Sequence, residues 1–268
     1  TPMLKLFFFV SYVVLAAFVG AFADSMPKGR VMMITNMIKV LGCALMFFSV
    51  HPLAAYAVVG LGAAAYSPAK YGILTELLPP EKLVIANGWI EGLTVGSIIL
   101  GFVVGGVLVA PTVSSALLAF DLPLIDTHVD RAGEAAVAVT AFVYVAAAMV
   151  NLRIPDTGAR YPQQVFHPVR MVASFSRCVT TLWRDKLGQI SLAVTTLFWG
   201  AGATLQFIIL KWSETVLGMT LSQGAIMQAV VAVGIAIGSV TAAARVSLKR
   251  SLSVLPVGVA MGLLVCAM

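Results

Sequence analysis

Three ionisable side chains stand where charge is costly. Lys39 and Lys70 lie inside long apolar runs, and Glu91 lies near the start of another. Carrying such a group to the middle of a bilayer costs roughly 2.5–3.5 kcal/mol on insertion scales, so each needs a partner or a task. Grouped at similar depth they would make one polar cavity, with Lys70 and Glu91 near enough to pair. The surplus positive charge suits an anionic headgroup such as phosphate. The plainer alternatives are snorkelling by each lysine and a first-turn dipole contact for Glu91 behind an Asn87 N-cap. Pro68 precedes Lys70 by two residues, removes a backbone donor, and predicts a kink that exposes carbonyls beside the cavity. Gln206 and Trp199 lie within a further apolar run beside Gly200 and Gly202, and are candidates to line a pathway.

Composition fixes the elements that must hold these groups. The chain has 268 residues, is 60% hydrophobic and 10% charged, and has a mean hydropathy of +1.00. An ordinary soluble domain is about 25% charged. A soluble enzyme and a disordered chain are therefore excluded, and the net charge of +6 does not make a nucleic-acid binder of so apolar a chain. Cys43, Cys178 and Cys266 are scattered and read as small apolar residues. Asp121, Asp126, His128 and Asp130 belong to a Pro- and Asp-containing loop, 110–133, that reads as an extracytoplasmic turn rather than a metal site. His51 precedes Pro52 and reads as a hairpin residue rather than a proton carrier. No G-x-x-x-x-G-K-[ST] nucleotide motif occurs, and no cofactor is implied.

A bilayer core of about 30 Å takes about 20 apolar residues of helix. Seven stretches qualify, at 3–23, 31–50, 53–77, 87–109, 134–152, 187–210 and 223–244, and an eighth begins at 253. Alternating barrel strands are absent. At 1.5 Å per residue, Lys39, Lys70 and Glu91 then lie about 12, 10 and 6 Å from one membrane face. Lys and Arg outside the spans set the orientation. Twelve fall in the loops after the first, third, fifth and seventh spans, and three on the opposite side. The twelve mark the cytoplasm, so residue 1 begins outside. The start lacks the charged region and cleavage site of a signal peptide. Both ends read as cut, with one helix preceding the first.

The cytoplasmic stretch 153–186 is long. Within it Val172, Phe175, Val179, Leu182 and Trp183 recur at helical spacing, opposite Arg170, Ser174, Arg177, Thr181 and Arg184. Such a basic amphipathic helix is expected to lie on the inner leaflet. With one helix added in front, this linker follows helix six. That divides the chain into an N-terminal bundle at 1–152, a linker at 153–186 and the start of a C-terminal bundle at 187–268. Two six-helix halves joined by a cytoplasmic linker is the major-facilitator architecture. In the fourth span Gly88, Gly92 and Gly96, then Gly101, Gly105 and Gly106, predict a close helix–helix seam.

The loop from Gly20 through Asp24 and Lys28 to Gly29 and Arg30 resembles the major-facilitator signature between helices two and three. The resemblance implies a cytoplasmic latch between the halves made by Asp24, Lys28, Gly29 and Arg30. Longer runs, at 23–33 (ADSMPKGRVMM), 60–74 (GLGAAAYSPAKYGIL), 82–91 (KLVIANGWIE), 174–184 (SFSRCVTTLWR) and 191–205 (SLAVTTLFWGAGATL), resemble the bacterial lysophospholipid transporters of that superfamily. That implies an all-α integral membrane protein with the major-facilitator fold, here a fragment covering about helices two to nine of twelve. It implies a flippase that moves lysophospholipids, chiefly lysophosphatidylethanolamine, from the outer to the inner leaflet of the bacterial inner membrane. There an acyltransferase/acyl-carrier-protein synthetase, as partner or fused domain, would reacylate them in phospholipid remodelling. Two departures stand out: the first helix, which in the family carries an acidic residue, is expected to precede this sequence, and Gln206 stands where a member of the family has an arginine. The rival readings are a proton-coupled drug exporter using Glu91 and the membrane part of a transporter–acyltransferase fusion enzyme.

Overall fold

The computed structural model describes residues 2–48, 50–108, 132–162, 167–246 and 253–267, together with 110, 113 and 115. Among the described residues the regular structure is helical throughout. The helices are α1 (Pro2–Asp24), α2 (Lys28–Phe47), α3 (Pro52–Leu77), α4 (Pro80–Leu108), α5 (Ala132–Asn151), α6 (Pro168–Arg184), α7 (Lys186–Thr215), α8 (Leu221–Arg245) and α9 (Leu255–Ala267). In hydrocarbon every backbone N–H and C=O must be satisfied within its own segment, which a helix does.

Local signals place the helix ends. Pro52 and Pro168 stand in the first turns of α3 and α6, where a missing N–H costs nothing. The His51 Nδ1 accepts a hydrogen bond from the Leu53 N–H at 3.3 Å, so His51 is an N-cap in a tight hairpin. Asp185 ends α6 and begins α7, and one of its carboxylate oxygens accepts from the Gly188 N–H at 2.7 Å. Thr220 and Gln223 form a capping box at the start of α8.

Helices α1 and α2 both pack along α3, and α2 also packs along α5. Helix α8 packs along α4 and more briefly on α7, while α6 rests on α7 and α1. Small residues let the first group close up. A Cβ at Gly60 would stand 2.5 Å from the Phe8 carbonyl oxygen of α1, and one at Gly62 would stand 2.7 Å from the Thr35 carbonyl oxygen of α2. Helix α3 is thus inserted between two neighbours, with Ala55, Val59, Ala64, Ala65 and Ala69 buried.

Five helices among the described residues, α1, α2, α4, α5 and α7, are long and apolar enough to cross a membrane. Helix α3 has the length but includes Pro68, Lys70 and three tyrosines. A helix packed between two others has less need of lipid-grade hydropathy. The apolar stretches of α8 and α9 are shorter, at Ile226–Ala242 and Leu255–Leu264.

Two expectations are corrected. Helix α4 begins at Pro80, not at 87, because a first-turn proline and Glu81 start a helix that hydropathy alone does not register. Asn87 is therefore interior to the helix and is no N-cap. At four of the six glycines the expected seam of α4 is open: a Cβ at Gly92, Gly96, Gly101 or Gly105 would meet nothing within 4 Å. The amphipathic segment is α6, with Val172, Phe175, Val179, Leu182 and Trp183 all exposed. The loop carrying Asp121, Asp126, His128 and Asp130 lies outside the described residues.

Candidate functional site

Helices α3 and α4 bring Lys70 and Glu91 into one neighbourhood, but not into an ion pair. The Lys70 ammonium donates to the Thr94 hydroxyl oxygen at 2.6 Å, and that hydroxyl donates to the Ile90 carbonyl one turn earlier at 2.6 Å. Tyr71 stands between the two charges. Its ring centroid is 4.9 Å from the Lys70 Nζ, and its hydroxyl donates to the Glu91 Oε1 at 2.6 Å. Because α4 starts at Pro80, Glu91 sits well inside the helix, beyond the reach of its N-terminal dipole. The Tyr71 hydroxyl is the donor that holds its carboxylate. Pro68 lies within α3, which continues through it, and its missing N–H leaves the Ala64 carbonyl without its helical donor.

Tyr71 and Glu91 form one wall of a cleft of about 620 Å³. The other wall is α7, with Val194, Thr195, Phe198 and Trp199. Trp199 is 59% exposed, and its ring meets that of Phe198 edge to face at 6.5 Å. Two residues selected separately in the sequence, Glu91 and Trp199, thus face the same space from different helices.

Lys39 and Gln206 are elsewhere. Lys39 is only 9% exposed, and its ammonium donates to the Asn36 Oδ1 at 3.0 Å. It lies 4.3 Å from the Tyr66 ring centroid and 5.3 Å from that of Tyr144, inside the α2–α3–α5 packing. A single cavity holding Lys39, Lys70 and Glu91 is therefore not what the helices build: the Lys39 charge is met by ring faces within the bundle. The Gln206 Oε1 accepts from the Lys5 Nζ of α1 at 2.9 Å, and the Gln206 carbonyl accepts from the Gln228 side chain of α8 at 2.8 Å. Lys5 also lies 4.7 Å from the Phe207 ring centroid. Gln206 follows Trp199 by seven positions, about 10 Å along the helix.

At the other end of α1 a second polar cluster forms. The Lys28 ammonium lies 2.5 Å from the Asp24 carboxylate, donates to the Ala23 carbonyl at 2.9 Å, and lies 3.6 Å from the Glu76 Oε1. The side chains of Lys28 and Glu76 are each 4% exposed. The linker closes over them: the Thr157 hydroxyl donates to the Glu76 Oε2 at 2.6 Å, and the Tyr161 ring centroid lies 4.8 Å from the Lys28 Nζ. The Tyr161 phenol is pushed up, first by its contact with the Glu76 carboxylate. Nearby, Arg160 and the Gly158 N–H hold the exposed Asp156 carboxyl down at about 2. Gly29 is needed where α2 meets the end of α5, since a Cβ there would stand 3.0 Å from the Ile154 Cβ and 3.2 Å from the Asn151 carbonyl oxygen. The Arg30 side chain is exposed, and the hydrogen bonds and ion pairs of the described residues do not include one from its guanidinium; its charge acts on Asp156, and the cation serving Asp24 is Lys28.

Tyr71, Thr94 and Phe198 at the cleft, Asn36, Tyr66 and Tyr144 around Lys39, and Glu76, Thr157 and Tyr161 at the cluster were not singled out in the sequence. One signal was available: Tyr66 and Tyr71 lie close to Lys70 along the chain, and Tyr66 is at the four-residue spacing at which side chains on one helix can meet. Among the described residues no group of His, Cys, Asp and Glu is placed to hold a metal ion.

The described helices thus form an apolar bundle with a polar cleft between α3–α4 and α7 and a charged cluster at the α1–α2 loop. The sequence matches the Major Facilitator Superfamily over residues 3–268, and the chain belongs to that superfamily. It is 42% identical over 265 residues to the lysophospholipid transporter LplT of Yersinia enterocolitica, covering 98% of this chain and 61% of the relative. It is likewise 42% identical over 267 residues to LplT of Klebsiella pneumoniae, covering 99% of this chain and 62% of the relative. The chain thus spans about three-fifths of the length of these curated relatives.

Proposed function

We propose that the full-length protein carries lysophospholipids from the outer to the inner leaflet of the bacterial inner membrane. The observation that carries this reading is the 42% identity, along 98% of the chain, to a protein named a lysophospholipid transporter. The cleft supports it: one wall carries a carboxylate and a tyrosine, the other is aromatic and apolar, as an amphiphile with one chain requires. Lys70, Glu91 and Trp199 serve the headgroup. Lys39 braces the first bundle, and Gln206 ties α7 to α1. Residues 1–152 and 187–268 belong to the two halves, joined by the linker at 153–186. Asp24, Lys28 and Gly29 form the inner-side latch, with Arg30 beside them at the surface. Alternating access then comes from one half rocking against the other. The product in the inner leaflet is a monoacyl lipid, so an acylating enzyme, as partner or fused domain, is the class of reaction that consumes it.

The test is leaflet-resolved uptake of labelled lysophosphatidylethanolamine by spheroplasts making the full-length protein. Lys70→Ala is expected to abolish uptake while membrane insertion is retained. Normal uptake by that variant removes Lys70 from the site, and drug resistance without lysolipid uptake in the parent protein overturns the transport assignment.

A further inference from the structure

Among the described residues, the charge on the walls of the α3–α4–α7 cleft is negative. Glu91 presents its carboxylate there, while Lys70 does not line the space. The Lys70 ammonium stands beside the cleft, 4.9 Å from the Tyr71 ring centroid and hydrogen-bonded to Thr94. The Tyr71 hydroxyl occupies one oxygen of Glu91, and a carboxylate has further acceptor positions. Around it stand Tyr71, Phe198 and Trp199, rings whose faces carry negative potential. A carboxylate framed by aromatic rings repels an anion and attracts an organic cation by charge, hydrogen bonding and cation–π contact. The opposite pole of the site, the Lys70 ammonium, lies 4.9 Å from the centroid of the Tyr71 ring whose hydroxyl holds Glu91.

We infer that the Tyr71–Glu91–Phe198–Trp199 cleft is a subsite for the ammonium group of a zwitterionic lipid headgroup, with the phosphate directed to Lys70. This rests on the lysophospholipid reading above and adds the headgroup's orientation. Tyr71 keeps the two protein charges from neutralising each other, so that a ligand carrying both charges replaces the ion pair the protein does not make. Glu91 and Trp199 are then specificity-determining residues. They distinguish an aminoalkyl phosphate from a phosphate ester whose alcohol is uncharged.

The experiment compares uptake of lysophosphatidylethanolamine and lysophosphatidylglycerol of the same acyl chain by full-length protein in spheroplasts. Both lipids bring a phosphate and one chain, and only the first brings an ammonium. Glu91→Gln is expected to lower the ethanolamine-to-glycerol uptake ratio about tenfold, the effect of losing one charge-assisted contact. Trp199→Leu is expected to lower the ratio several-fold, and Trp199→Phe to restore most of it. An unchanged ratio in both variants, or equal loss of both lipids in both, overturns the subsite. Wild-type protein that takes up neither lipid overturns the transport reading itself, a result distinct from either of those.

Discussion

Lys5 and Gln206, 201 positions apart in the chain, are joined by a 2.9 Å hydrogen bond between the first turns of α1 and the far half of α7. The contact links the two groups of helices at the end opposite the Asp24–Lys28–Glu76 cluster. Such a bond from a charged donor contributes about 1.5–3 kcal/mol net, an amount a substrate can overcome. The alternating access proposed above requires this end to part. With Lys5 and Gln206 both changed to Cys in a background lacking Cys43, Cys178 and Cys266, a bis-methanethiosulfonate linker long enough to span the two replaced side chains is expected to cross-link α1 to α7 and stop uptake, and reductant is expected to restore it. Full uptake by the cross-linked protein would show that this end does not open.

The cluster at the other end gives a stability prediction. Lys28 and Glu76 are both shielded from solvent, so removing the cation strands a buried carboxylate. Lys28→Met is expected to destabilise the protein by about 3–5 kcal/mol. The double variant Lys28→Met with Glu76→Gln is expected to recover most of that loss. Thermal unfolding in detergent reads both, and equal midpoints for the single and double variants would break the assignment of Lys28 to Glu76.

Glycines of similar appearance in the sequence should behave differently. Gly29→Ala places a methyl 3.0 Å from the Ile154 Cβ and is expected to cost about 1–3 kcal/mol. Gly92→Ala meets nothing within 4 Å and is expected to stabilise α4 by about 0.5–1 kcal/mol through helix propensity. The same thermal measurement decides, and the prediction fails if the two shifts have the same sign.

Much of the fold could be read before the structure was known, because a membrane span announces itself through the transfer energy of its whole segment. The amphipathic helix α6 was legible for a related reason, since its apolar residues recur at helical spacing. The start of α4 was not: Pro80, Glu81 and Lys82 open the helix without being apolar, and hydropathy reports solvation rather than hydrogen bonding. Lys70 and Glu91 were legible as neighbours from their depth. The insertion of Tyr71 between them was not, because it depends on how α3 and α4 lie side by side. Depth also grouped Lys39 with them, although helices place residues of equal depth on different faces. Lys39 turns to Tyr66 and Tyr144 instead.

The corner at Asp185 couples α6 to α7 mechanically. One residue caps both helices, and Gly188 at the start of α7 lies against the Leu182 backbone with no room for a side chain. The two helices therefore form an angled lever with a short elbow. Helix α6 has 17 residues, so a tilt of about ten degrees at the elbow swings its far end by about 4 Å. Its exposed Val172, Phe175 and Leu182 must sweep through whatever surrounds them. Under the proposed rocking, movement of α7 would do work against that surface, so the viscosity and lateral pressure of the lipid would act as a load on the cycle.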